Sequence, residues 1–157
     1  MNAIFTLGKG IAAGFTATCV LSALMLTRQW IPQLDTITVM DRIARDLALT
    51  AGLPAPFAGW LWHFVVGCLI WGWMYAVMEP IVPGPKPWRK GLYFGVTTTL
   101  LAWFMVMPLA GAGLFGMHLS VAQPFVSMIE HLIYGVVLAI VYDRLAHSGG
   151  AVQKIQN

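Results

Sequence analysis

PFAGWLWHFVVG at Pro56–Gly67 returns as PFVSMIEHLIYG at Pro124–Gly135. Both stretches read P-F-x5-H-x3-G, both open a long apolar run, and both set a histidine, His63 or His131, at the same distance into it. Upstream of each lies a second matched segment. Lys9-Gly10, Gly14, Thr16 and Thr18 correspond to Lys90-Gly91, Gly95, Thr97 and Thr99 at a constant offset. Fixed-spacing matches on two separate segments are the signature of a repeat. The expectation is a duplicated two-helix unit, residues 9–79 and 90–142, within a single bundle over 1–157.

The chain has 157 residues, of which 59% are hydrophobic and only 10% charged, too apolar for a surface wetted all round. Four runs, Ile11–Ile31, Phe57–Glu79, Leu92–Ala112 and Pro124–Tyr142, have the roughly 20 residues that a helix needs to cross a bilayer. The predicted fold is therefore an all-α membrane protein: four transmembrane helices as two tandem two-helix repeats, plus a short outer interfacial helix. Each unit crosses an even number of times, so the copies point the same way about a pseudo-two-fold axis along the membrane normal. Lys9, Lys86, Arg89, Lys90, Arg144 and Lys154 fall on one side and Arg28, Arg42 and Arg45 on the other. The richer side is expected to be cytoplasmic, with both termini there.

A signal peptide over the first run is not expected, because the run exceeds a usual h-region and cleavage would destroy the repeat. The net charge of +3 forms no basic stripe suited to nucleic acid. Cys19 and Cys68 lie in apolar helices, where small core residues are expected in place of a disulfide or redox pair. Asp35–Ala51 carries Ile37, Met40, Ile43, Ala44 and Leu47 on one helical face and Asp41, Arg42, Arg45 and Asp46 on the other, which reads as the interfacial helix. The link from Glu79 to Lys90 holds Pro80, Pro83, Pro85 and Pro87 and reads as stiff and non-helical, with Trp88, Lys86, Arg89 and Lys90 at headgroup level. Gly10, Gly14, Gly91, Gly95, Gly59 and Gly67 form small-residue stripes for close helix packing.

His63 and His131 fall about 10 Å inside the outer boundary at 1.5 Å per residue. Neutral imidazoles on facing helices can ligate haem b, with Gly67 and Gly135 one turn on leaving room for the macrocycle, or a bare metal with His118 as a third nitrogen. Against this stands an interhelical hydrogen-bonding role, with Ser127 at i−4 as a partner for His131. Glu130 is an acid well inside a predicted crossing, where it must pair, protonate or face water; Arg28 lies at similar depth as its expected partner. Trp62 holds the matching place in the first half. Gly111, Gly113 and Gly116 spell G-x-G-x-x-G, but no strand precedes them, so after Pro108 they read as a broken helix end or a loop. No nucleophile, base and orienter fall at catalytic spacing, so an enzyme is not expected.

R-K-G-L at Arg89–Leu92, M-P-L-A-G at Met107–Gly111 and E-H-L-I-Y-G at Glu130–Gly135 resemble small bacterial inner-membrane proteins of the YagU-like kind. The resemblance implies a multi-helix protein of the bacterial inner membrane and brings no catalytic residue or ligand. The leading expectation is a non-catalytic accessory, assembly or stabilising subunit in the lipid bilayer, partnered by other membrane subunits or a second copy. The alternatives are a haem or metal electron carrier through His63 and His131, and a small transporter or proton pathway using Glu130.

Overall fold

Four helices are long and apolar enough to cross a membrane, and a proline or glycine sets three of their ends. The computed structural model describes residues 3–28, 40, 41, 45, 52–54 and 57–153, with side chains described within 6–27, 40, 41, 45, 52–54 and 57–147. The helices are α1 (Ala3–Arg28), α2 (Phe57–Met78), α3 (Pro87–Leu109) and α4 (Gln123–Gln153). No strand occurs among the described residues, so the chain is all-α. Apart from Met40, Asp41 and Arg45, the expected interfacial helix lies outside the described residues; Arg45 Nε donates to Asp41 Oδ2 at 2.8 Å, an i,i+4 pair on the face expected to be charged.

Local chemistry explains the boundaries. The last turn of α2 closes with Glu79 N–H on the Tyr75 carbonyl at 2.7 Å, and Pro80, without an N–H, ends it. Proline does not keep the whole following link out of helix, as the sequence had suggested: α3 starts at Pro87, whose fixed φ and missing donor suit the first helical position after the extended Lys86. At the other end of α3, Gly111 adopts φ +67°, its N–H bonds Pro108 O at 3.0 Å and Ala112 N–H bonds Met107 O at 2.9 Å. This is a Schellman stop, with Met107, Ala110 and Ala112 packed together beneath it. The nucleotide-like glycine pattern is thus a helix terminator followed by a turn, as its context implied.

Two helices contain a wide π turn, Val65–Trp71 in α2 and Ala102–Val106 in α3. In α2 the Gly72 N–H reaches back to Gly67 O, which also accepts the Tyr134 hydroxyl of α4 at 2.5 Å. In α3, Met107 N–H reaches Ala102 O just before Pro108, which has no N–H to continue the α ladder.

The hairpins α1/α2 and α3/α4 pack through glycine. A Cβ on Gly14 would lie 2.8 Å from Gly67 O, and one on Gly95 would lie 2.7 Å from His131 O. Positions 81 apart behave alike: Gly10, Gly14, Ala17 and Thr18 are buried, as are Gly91, Gly95, Thr98 and Thr99. Thr18 Oγ1 donates to Gly14 O at 2.8 Å and Thr99 Oγ1 to Gly95 O at 2.7 Å. Lys9 Nζ donates to Ala146 O at 3.4 Å near the end of α4, while Lys90 Nζ donates to Glu79 O at 3.0 Å at the end of α2.

The likeness stops at the seams between hairpins. Helix α1 packs closely along α4, whereas the backbones of α2 and α3 stay farther apart. Phe94 of α3 meets α2 through rings, edge-on to Tyr75 at 5.1 Å and to Trp71 at 6.3 Å. Small Ala13 and Ala17 line the closed seam, whereas bulky Phe94, at the position matching Ala13, holds the other apart.

Candidate functional site

The bundle has a proximal end, carrying Lys9, Met78, Pro87 and His147, and a distal end, carrying Thr27, Phe57, Leu109 and Gln123. Its interior is partitioned between them. Tyr75, Ala76, Phe94, Leu138, Ala139 and Tyr142 fill the proximal half, with Tyr75 edge-on to Tyr142 at 5.5 Å. The buried polar residues, Thr18, Ser22, His63, Thr98, Thr99, Gln123, Ser127 and Glu130, all lie at mid-depth or distally. Uncompensated polar groups are costly in so apolar a setting, so their partners define what this region can do.

His63 is buried between α1 and α2. Ser22 Oγ donates to Thr18 O at 2.7 Å, so it accepts from His63 Nε2 at 3.1 Å, which places the neutral ring's proton on Nε2. Trp60 and Phe64 pack edge-on to the ring, each at 5.7 Å. One turn further, Cys68 Sγ lies 3.8 Å from Thr18 Oγ1. Cys68 is the core residue expected of it, but Cys19 is exposed, because it falls on the outward side of α1 beside the buried Ala17–Thr18 stripe.

His131 is held differently. Its Nδ1 lies 2.7 Å from Ser127 O on its own helix. A carbonyl only accepts, so Nδ1 carries the proton and Nε2 keeps its lone pair. The i−4 partner is the expected residue, through its backbone and not its hydroxyl. Trp103, which stands 81 residues after Ser22, explains the difference: its Nε1 donates to Ser127 Oγ at 2.8 Å, filling the place from which Ser22 reaches His63.

No hydrogen bond or ring contact joins His63 to His131 among the described residues. His118 stands exposed in the distal turn, with Nδ1 3.3 Å from Gly111 O, and no group of three His, Cys, Asp or Glu among the described residues is placed to hold a metal. Beside the glycines, Thr18 occupies the position of a Cβ on Gly67, and the backbones of Gly91 and Gly95 face Gly135. These contacts serve the close helix packing expected of the glycine stripes.

Glu130 is 5% exposed, whereas the side chain of Arg28, its expected partner, lies outside the described residues. Gln123, at the start of α4, is 1% exposed, and its Nε2 has no hydrogen-bond partner among the described residues. Sequence reasoning missed Ser22, Trp103, Gln123 and Tyr134. The constant offset linking Ser22 to Trp103 was the one signal available for that pair; nothing local marks Gln123 or Tyr134.

Residues 5–151 match DUF6789, a family of unknown function. The chain belongs to DUF6789. No curated protein and no solved structure matches this DUF6789 chain.

Proposed function

We propose that this DUF6789 member is a non-catalytic subunit that packs against, assembles or stabilises a larger membrane complex. The observation that carries the reading is the unequal closure of two related seams: α1 lies against α4, while α2 and α3 stand apart. Phe94, Tyr75 and Trp71 fill the wider seam with rings, and exposed apolar side chains such as Leu69 and Trp73 of α2 and Phe104 of α3 offer a helix of another subunit a surface to seat against. The proposed setting is the bacterial inner membrane with both termini cytoplasmic, supported by the lysine and arginine bias and by the YagU-like segments. The proposed origin is duplication of a two-helix unit, supported by the matched burial and hydrogen bonds 81 residues apart.

Mild detergent extraction tests the role, with a photo-cross-linker replacing Leu69 of α2 or Phe104 of α3, both about half exposed. A stoichiometric partner should co-purify and cross-link from these positions. A chain that migrates alone, or cross-links only to itself, rules the accessory role out.

Burial of Glu130 within the polar distal half favours a second reading, a proton or cation pathway. Proteoliposomes under an imposed pH gradient decide it. Flux through the wild-type chain should fall to background in Glu130→Gln; equal flux in both ends this reading.

A further inference from the structure

At the proximal end, the turn between α2 and α3 brings two cations and a tryptophan to the level where both helices leave the apolar span. Lys86, Trp88 and Arg89 are exposed, and the Arg89 guanidinium lies 5.2 Å from the centroid of the Trp88 ring, within cation–π range. The nearby acid is already used: Glu79 Oε1 pairs with Lys90 Nζ at 2.6 Å. Lys86 and Arg89 form no ion pair among the described residues. Nor does the first turn of α3 hold an acid, so the positive end of its dipole adds to their charge. Arg89 N–H and Lys90 N–H both bond Lys86 O, at 3.0 and 3.3 Å, which fixes the turn that presents the two cations.

We propose that Lys86, Trp88 and Arg89 form a binding site for the headgroup of an acidic phospholipid. The phosphate sits between the ammonium and the guanidinium, whose planar fork suits its oxygens, and the indole lies along the glycerol and upper acyl region. Charge selects acidic over zwitterionic lipid, because a zwitterionic headgroup brings its own cation to the same place. The site lies at the proximal end of the α2/α3 seam, and the proposal does not rest on a partner subunit seating there.

The test uses the full chain in nanodiscs of phosphatidylcholine with increasing phosphatidylglycerol, followed by native mass spectrometry of retained lipid. Wild type should keep phosphatidylglycerol in preference to phosphatidylcholine. Lys86→Gln with Arg89→Gln should weaken retention about thirty-fold, from roughly 1 kcal/mol per cation at a membrane surface. Arg144→Gln removes an exposed cation from the same end and should leave retention unchanged. Circular dichroism checks that helicity is kept, and the two single variants should each weaken retention about five-fold. Undiminished retention in the double variant, or an equal loss in Arg144→Gln, overturns the proposal. Displacement of the lipid by millimolar inorganic phosphate also overturns it, since the site would then recognise free phosphate.

Discussion

Ser22 and Trp103 stand at matching positions, and their sizes send two matching histidines to different partners. Because Ser22 is the acceptor for His63 Nε2, Ser22→Ala removes an acceptor from a buried donor, whereas Trp103→Phe leaves Ser127 still bonded to Gln123 O at 2.9 Å. Ser22→Ala is expected to cost about 1 kcal/mol in the membrane, and Trp103→Phe about half of that or less. Thermal unfolding in micelles should show that order; the reverse order would remove Ser22 as the partner of His63. Nitrogen-15 spectra should find opposite neutral tautomers, with the proton on Nε2 in His63 and on Nδ1 in His131. Two like tautomers would contradict the hydrogen bonds described for one of the rings. The sequence shows that the histidines match, but their partners depend on a bulky neighbour from another helix.

Among the elements, glycine contacts set how closely each hairpin closes. A methyl group on Gly95 would meet His131 O at 2.7 Å and Leu132 Cα at 2.9 Å, backbone atoms that cannot rotate aside. Gly95→Ala should therefore push α3 from α4 at a cost of about 1–3 kcal/mol. Gly8, within α1, has nothing within 4 Å of its would-be Cβ, so Gly8→Ala should leave packing unchanged and stabilise the helix by up to about 1 kcal/mol. Equal effects from the two substitutions, read as unfolding midpoints, would deny the close approach. The glycine stripes were legible before any coordinates were known, because spacing of three or four residues places side chains on one helical face. The π turns were not. One accompanies a carbonyl, Gly67 O, shared by Gly72 N–H and the Tyr134 hydroxyl, and the other precedes Pro108, which has no donor; hydropathy registers neither.

For the whole molecule, the polar distal half and aromatic proximal half give the bundle a direction, and the proposed orientation puts the proximal end on the cytoplasmic side. Ile81 and Val121 are each 78% exposed at opposite ends of the bundle. In a Cys19→Ala, Cys68→Ala background, an impermeant maleimide should label Val121→Cys in intact cells and Ile81→Cys only after permeabilisation. The opposite pattern would invert the proposed orientation. The same end-to-end order bears on Phe115, held at φ +60° between the rings of Trp103 and Phe104, each 5.2 Å away. A non-glycine residue at positive φ costs about 1–2 kcal/mol, and ring packing at the mouth of the polar half offsets it.

By itself the sequence determined the four crossings and the matched faces of the two hairpins. A chain in lipid must satisfy its backbone within each helix, so span and face are written in local hydropathy and spacing. Tertiary structure alone decided which seam closed, which acceptor each histidine met and where the ladder widened. Those outcomes turn on contacts between side chains far apart in sequence, where the bulk of Trp103 or Phe94 excludes an arrangement that Ser22 or Ala13 allows.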